Sequence, residues 1–162
     1  MVTRIEKLQQ IIEIAKEPKA IQLPPIIYGL DTILGGALYA HVRDEIGPAG
    51  VIYIADKDYI ECTITMMSRI LAVDPTNKIQ YIMDGTAGKD DFDCDGFALR
   101  LAGNLSIPGY EDLAFGLAWS NTHAFNVFWN GKRLMRIEPQ NDGMVLYERK
   151  DGMYYPIRFI MI

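Results

Sequence analysis

The dipeptide Asn130-Gly131 constrains this chain more than any other feature, because it stands between two apolar-rich runs. An Asn-Gly pair in that setting is the strongest short-range signal of a two-residue type I′ hairpin. Such a turn fixes the register of its strands, and stepping outward from it brings His123 opposite Glu138. The sequence therefore predicts an imidazole and a carboxylate side by side on one face of a sheet.

Further apolar-rich runs, each bounded by turn residues, continue from Asp112 to the end of the chain. They predict an antiparallel sheet of about five strands, in the segments DLAFGLAWS, HAFNVFW, KRLMRIE, GMVLYE and MYYPIRFIMI.

Three segments that precede the sheet carry apolar residues at helical spacing. They predict helices at 3–17, at 57–72 and from about Asp93 to Gly103-Asn104, whereas 19–50 is expected to be mostly loop with one short helix. Helices followed by a sheet define an α+β fold class. We divide the chain into an N-terminal helix and irregular segment, 1–50, and a core, 51–162.

The overall charge and the cysteine content limit the partners and the compartment. A net charge of -5 without a basic stripe argues against binding nucleic acid. Charged residues interrupt the first apolar segment, so we expect no signal peptide, no membrane span and a cytoplasmic location. The two cysteines are then expected to be reduced. The 3–17 helix could also mediate self-association.

Cys94 is the candidate nucleophile, because Asp93 is a favoured N-cap residue and would place the thiol in the first turn of a helix. Free backbone N–H groups and the helix dipole at that position stabilise a thiolate, and the same groups could hold an oxyanion. His123 would then accept the thiol proton, and Glu138 would orient the imidazole. As a lone cysteine on an apolar helical stripe, Cys94 would more often be an inert core residue, and His123 with Glu138 could equally be a structural cross-strand pair.

Four aspartates, Asp90, Asp91, Asp93 and Asp95, crowd this cysteine. Their negative charge raises the pKa of a nearby thiol. They could alternatively bind a hard cation such as calcium, although their spacing fits no EF-hand loop.

The segments FDCDGFALRLAG, HAFNVF and RIEPQ together resemble phage-encoded relatives of the papain-like C-terminal domain of a mushroom agglutinin. The resemblance implies a papain-like core, a Cys-His-Glu triad at Cys94, His123 and Glu138, and a calcium-dependent cysteine protease activity in the agglutinin. The order of these residues, with Pro139 after the carboxylate, is also similar to the transglutaminase-like core. Glu138 stands where that core has Asp, which favours the agglutinin-related branch.

The side chain that would assist at an oxyanion is less clear from the sequence. Papain-like enzymes carry Gln six residues before the cysteine, where this chain has Gly88. Asn121 and Asn126 flank His123 and are candidates for an oxyanion or orienting role. Cys62 is expected to fill the core, and His41 is expected to be exposed.

These features lead to one main hypothesis and two alternatives. The main hypothesis is a thiol-dependent hydrolase, similar to cysteine peptidases, that acts on a peptide or isopeptide bond of a protein substrate. One alternative is a catalytically silent phage structural or host-interaction protein that keeps the fold, in the host cytoplasm or the virion. The other is an acyl transferase of transglutaminase type.

Overall fold

The computed structural model describes residues 22–25, 30–48, 50–83 and 92–162. The described α-helices are α1 Gly35–Ile46, α2 Ile64–Val73 and α3 Cys94–Leu105. The described strands are β1 Thr32–Leu34, β2 Val51–Tyr53, β3 Asp58–Ile60, β4 Phe115–Trp119, β5 Ala124–Trp129, β6 Leu134–Glu138, β7 Gly143–Leu146 and β8 Phe159–Met161. The helix predicted at 3–17 lies outside the described residues.

Six strands form the main sheet in the order β2-β8-β4-β5-β6-β7, and β1 pairs with β3 in a separate antiparallel ribbon. Within the main sheet β2 runs parallel to β8, and the other neighbours are antiparallel. The predicted fold class was wrong on two counts. The sheet is mixed and has six strands, and β1, β2 and β3 precede α2 and α3, so the helices do not come first.

Helices cover both faces of this sheet, so the central strand β5 is buried along its whole length. On one face, Leu38 and Val42 of α1 join Phe125 and Val127 of β5 in one apolar cluster. On the other face α2 and α3 pack with Phe128 in a second cluster. A strand covered on both sides has apolar residues at successive positions instead of an alternating pattern.

The first described helix is longer than the short helix predicted within 19–50. Leu38, Val42 and Ile46 are spaced four residues apart and are all buried, as one face of an amphipathic helix requires. Gly35 begins α1 where a Cβ would lie 2.3 Å from the carbonyl oxygen of Asp56, so the helix can start there only without a side chain.

The second predicted helix begins later than residue 57. Residues 58–60 form β3 and pair with β1, and the helix starts after Thr63, whose hydroxyl accepts a hydrogen bond from the backbone N–H of Met66 at 3.2 Å. A threonine at that position is a typical N-cap. The end at Asp74-Pro75 is as predicted, since α2 stops at Val73.

The loop between β5 and β6 is also longer than predicted. Trp129 pairs with Leu134, so the four residues 130–133 connect the strands and the predicted register was wrong by two residues. A shift by an even number leaves every side chain on its own face of the sheet. His123 and Glu138 therefore still share a face.

The side chain of Asn130 explains the longer loop. Its Oδ1 accepts hydrogen bonds from the backbone N–H groups of Lys132 and Arg133 at 2.9 and 2.8 Å. A type I′ turn needs a positive φ at both central residues, and of Asn130 and Gly131 only Gly131 has one, at 89°. The asparagine thus stabilises an open turn through its side chain.

In the described part of the chain, no helix is long and apolar enough to cross a membrane. Residues of β1 and α1 share an apolar cluster with β5. The domain division at residue 50 stays a prediction.

Gly116 allows the close approach of β4 and β8, and its substitution tests this contact. A Cβ at this position would lie 1.8 Å from the carbonyl oxygen of Met161. We expect Gly116→Ala to lower the free energy of unfolding by about 3 kcal/mol, because backbone atoms cannot move aside cheaply. Urea unfolding measures the change.

Gly103→Ala is the matched control, since no atom lies within 4 Å of its Cβ position on α3. We expect that change to stabilise the protein by up to about 1 kcal/mol through helix propensity. Equal effects of the two substitutions would contradict the role assigned to Gly116.

Candidate functional site

His123 and Glu138 are in direct contact. The Nε2 atom of His123 lies 2.6 Å from Oε2 of Glu138, and both side chains are largely buried, at 9% and 12% exposure. The observed register, extended by one pair, places Glu138 opposite Phe125. His123 lies two residues from Phe125 on the same face, so His123 and Glu138 are diagonal neighbours. Diagonal pairs on one face are within reach of long side chains. His123 and Glu138 are therefore in contact although the predicted register was wrong by two residues.

A tight turn before β5 holds His123 in place. The backbone N–H of Ser120 donates to the carbonyl of His123 at 2.9 Å. The Ser120 hydroxyl oxygen accepts from the N–H groups of Thr122 and His123 at 3.2 and 3.1 Å. Serine at such a turn replaces missing backbone partners with its side chain. The imidazole thus enters the strand from a fixed backbone.

Cys94 lies at the first residue of α3, as the sequence predicts. Asp93 caps the helix, and its side chain accepts a hydrogen bond from the N–H of Asp95. The thiol is half-buried, and hydrogen bonding to the backbone of Ala124 and of Asp95 acts to lower its pKa. Ala124 is the first residue of β5 and directly follows His123, so the start of α3 lies near the start of β5.

The electrostatic environment of Cys94 favours the neutral thiol. Burial raises its pKa most strongly, and the charges of Asp93 and Asp95 raise it further. Hydrogen bonding to the backbone of Ala124 and of Asp95 lowers the pKa without reversing the net direction. The predicted stabilisation of a thiolate by the helix terminus is therefore outweighed, and a base must remove the proton.

Of the two asparagines proposed for an oxyanion, Asn126 has its amide donors engaged elsewhere, whereas the role of Asn121 stays a prediction. Asn126 is fully buried, and its Nδ2 donates to the carbonyls of Ala98 and Gly116 at 3.0 and 3.2 Å. An amide whose donors are both used cannot donate to an anion. Asn121 is exposed and accepts a hydrogen bond from Nε of Arg158 at 2.6 Å. Asn126 instead ties α3 to β4.

Of the four aspartates considered as calcium ligands, the two that the structure describes, Asp93 and Asp95, do not belong to a metal-binding cluster. Asp93 caps α3, and Oδ1 of Asp95 accepts the N–H of Gly96 at 2.7 Å. Within 22–25, 30–48, 50–83 and 92–162, no three His, Cys, Asp or Glu side chains are placed to hold a metal ion. Asp90 and Asp91 lie outside those ranges, as does Gly88, so a calcium requirement stays a prediction.

The remaining cysteine and histidine lie where the sequence suggests. Cys62 is fully buried in the apolar cluster beneath α2, and burial raises the pKa of its thiol to about 12. It stays protonated at neutral pH. His41 is exposed and stacks on Trp129, with ring centroids 4.8 Å apart.

Tyr154 belongs to the site, although no sequence signal singled it out. Its hydroxyl donates a hydrogen bond to Oε2 of Glu138 at 2.9 Å. The residue lies in a 3₁₀ turn, Gly152–Tyr154, between β7 and β8. A tyrosine in a segment that is neither regular helix nor strand has no register from which its contact could be derived.

Comparison with known proteins places the fold beside that of a fungal lectin. No protein-family model and no curated protein matches the chain. Similar solved structures are a PSL1a–E64 complex, at 20% identity and a TM-score of 0.63, and Polyporus squamosus lectin bound to the human-type influenza-binding epitope Neu5Acα2-6Galβ1-4GlcNAc, at 21% and 0.63. Each match covers 81% of this chain, and the chain spans about half of their length, 50% and 49%. The likeness shows the fold.

These comparisons correct the expectations drawn from the family resemblance. One of these two structures is named as a lectin, and neither is named as a papain-like or transglutaminase-like protease. The assignment to phage-encoded cysteine proteases, the hydrolase or acyl transferase activity and the peptide or protein substrate are overturned on that ground. Nothing in the comparisons supports a phage origin, and the alternative of a phage structural or host-interaction protein falls with it.

The charge of Asp95 gives a direct test of the environment of Cys94. We expect Asp95→Asn to lower the pKa of the Cys94 thiol, because the substitution removes a negative charge that disfavours the thiolate and keeps an oxygen for the Gly96 N–H. The pH dependence of alkylation by iodoacetamide should move to lower pH.

The matched control for this substitution is Asp58→Asn, on β3 away from α3. It should leave the alkylation curve unchanged. A curve for Asp95→Asn that coincides with the unmodified protein would show that this carboxylate does not act on the thiol.

Proposed function

We propose that Cys94, His123 and Glu138 form a reactive thiol site that binds electrophilic ligands covalently. The observation that carries the proposal is the 2.6 Å contact of His123 with Glu138, next to Ala124, whose backbone lowers the pKa of the Cys94 thiol by hydrogen bonding. Nε2 of His123 is occupied by Glu138, so Nδ1 is the nitrogen left to take the thiol proton. The proposed site forms one covalent bond with one ligand, and the proposal includes no hydrolysis of that ligand.

The roles of the two other side chains follow from their contacts. Burial favours the neutral thiol of Cys94, so a thiolate forms only if a neighbouring base accepts its proton. His123 is that base in our proposal. Glu138 accepts a hydrogen bond from the N–H at Nε2, which fixes the tautomer and stabilises the imidazolium that forms.

The PSL1a–E64 complex suggests a ligand with which to test the site. E64 is an epoxide, and a thiolate opens an epoxide by attack on one of its carbons. A sulfur–carbon bond forms, a carbon–oxygen bond breaks, and the oxygen takes the proton from the His123 imidazolium. The thiol hydrogen thus ends on the ligand hydroxyl, and no other reactant is needed.

The state of the two cysteines bears on the compartment in which the chain is located. Neither Cys62 nor Cys94 is in a disulfide, and a half-buried thiol is retained as such in a reducing compartment. We therefore propose a cytoplasmic location for the chain.

E64 labelling followed by mass spectrometry tests the reactive site. We expect the adduct on Cys94 and none on Cys62, whose thiol is fully buried. His123→Ala should slow the labelling of Cys94 at neutral pH by about tenfold or more, because the thiol loses its base.

His41→Ala is the matched control, since the chain has two histidines and His41 is exposed on α1. It should label at the rate of the unmodified protein. Equal rates in the His41 and His123 variants, or no preference for Cys94 in the folded protein, would refute the reactive site.

A second candidate function is the binding of a sialylated glycan. It is supported by the fold likeness to the lectin bound to Neu5Acα2-6Galβ1-4GlcNAc. Glycan binding needs no thiol, so it is independent of the reactive site.

Surface plasmon resonance with the immobilised glycan tests this second function. We expect saturable binding that is lost when the terminal Neu5Ac is removed and that is kept in Cys94→Ser. Absence of binding by the folded chain would rule out this glycan as its ligand.

A further inference from the structure

Tyr154 contacts both partners of the His123–Glu138 pair. Its hydroxyl donates to Oε2 of Glu138 at 2.9 Å, the same oxygen that lies 2.6 Å from Nε2 of His123. Its ring stands edge-on to the imidazole, with centroids 5.2 Å apart and planes at 79°. The other carboxylate oxygen, Oε1, is buried and has no hydrogen-bond partner among the described residues. Both hydrogen bonds of the Glu138 carboxylate with described residues are therefore made by Oε2.

The ring of Tyr154 is held by charge and by packing. The guanidinium of Arg136 lies over the ring, 3.7 Å from its centroid, and Nε of Arg136 donates to Asp151 at 2.8 Å. Phe125 meets the ring edge-on at 5.1 Å. A cation over an aromatic face and an edge-on aromatic pair are both attractive geometries. The phenol thus has little freedom to turn away from Glu138.

The backbone that carries Tyr154 is joined to the turn that carries His123. The Ser120 hydroxyl donates to the carbonyl of Met153, and its oxygen accepts the N–H of His123. One buried serine therefore connects two segments that are more than thirty residues apart. The tyrosine and the histidine keep a fixed separation because they share this anchor.

We propose that Tyr154 is a positioning residue of the reactive thiol site. It holds the Glu138 carboxylate against Nε2 of His123, which keeps Nδ1 turned toward the thiol of Cys94. The inference rests on the proposed function for its chemical meaning. Its structural content, a fixed His123–Glu138 hydrogen bond, is measurable without any ligand.

The phenol can serve as a donor over a wide pH range. Burial raises the pKa of Tyr154 to about 12, and the hydrogen bond to Glu138 raises it as well. A donor that stays protonated does not itself titrate during a labelling experiment. The hydroxyl is accordingly a constant part of the site between neutral and moderately alkaline pH.

The charged groups around the site are few in the described part of the chain. Asp93 and Asp95 face the thiol from α3. Glu138 faces the imidazole from β6, and Arg136 and Asp151 flank the phenol. Changes in the pH profile of labelling that follow loss of the phenol hydroxyl thus report on the thiol and the imidazole.

Tyr154→Phe tests the inference, since it removes the hydroxyl and keeps the ring that Arg136 and Phe125 contact. We expect the rate of Cys94 alkylation by iodoacetamide at pH 7 to fall by about three- to tenfold, the range expected when the net contribution of a typical hydrogen bond is lost. The labelling curve should also move to higher pH, because a carboxylate that is no longer held stabilises the imidazolium less.

A second readout does not depend on the thiol. The proton on Nε2 of His123 should give a downfield NMR resonance in the unmodified protein, because it is shared over a short hydrogen bond. We expect this resonance to broaden or disappear in Tyr154→Phe. Tyr53→Phe, at an exposed position on the edge strand β2, is the matched control and should change neither readout.

The outcomes separate the two proposals. An unchanged resonance, or an unchanged labelling rate and curve, in Tyr154→Phe overturns the positioning role while Cys94 of the unmodified protein still labels selectively. If Cys94 of the unmodified protein is not selectively labelled, the proposed function fails first. A changed resonance in Tyr154→Phe then still supports the hold on Glu138, and an unchanged one overturns it.

Discussion

Burial of β5 on both faces is the constraint on which the rest of the structure depends. The strand is the fourth of six in the sheet, and every one of its residues is buried. Apolar side chains of α1 cover one face, and those of α2 and α3 cover the other. Because burial of apolar area is the main favourable term in folding, this strand aligns both helical layers at once. The layers in turn decide which side chains can meet at its ends.

The site lies at the start of β5, which His123 directly precedes. His123, Glu138 and Tyr154 belong to the α1 face of the sheet, since Tyr154 packs against the cluster that contains Phe125. Cys94 comes from α3 on the opposite face, and its thiol is hydrogen-bonded to the backbone of Ala124. A thiol from one layer and an imidazole from the other can approach only beyond the end of the strand that separates them.

Much of the sheet could be predicted from the sequence, because its strands are apolar runs between clear turn residues. All five runs predicted after Asp112 contain a strand. The register was wrong by two residues because the side chain of Asn130 supports a four-residue loop in place of a type I′ turn. The face of each residue was still right, since a pleated strand repeats every two residues.

The parts that the sequence did not reveal depend on contacts between distant segments. Residues 19–50 were expected to be mostly loop with one short helix, because prolines and glycines such as Gly35 suggested turns, although Gly35 is required at the start of α1 by the carbonyl of Asp56. The mixed topology was missed because no local pattern tells a parallel neighbour from an antiparallel one. Family resemblance did not supply the missing information, and its functional implications were the expectations that the comparisons overturned.

The parallel pairing of β2 with β8 has a consequence for the order of folding during synthesis. Residues 51–53 leave the ribosome about a hundred residues before residues 159–161, with which they pair in the sheet. The hydrogen bond from the Tyr59 hydroxyl to the carbonyl of Ile162 likewise cannot form until residue 162 has been synthesised. Pairings of such long sequence separation form late, because the loop must close before the contact stabilises it. The β4–β5–β6 unit can therefore assemble first, and the early strand is added to the sheet at the end.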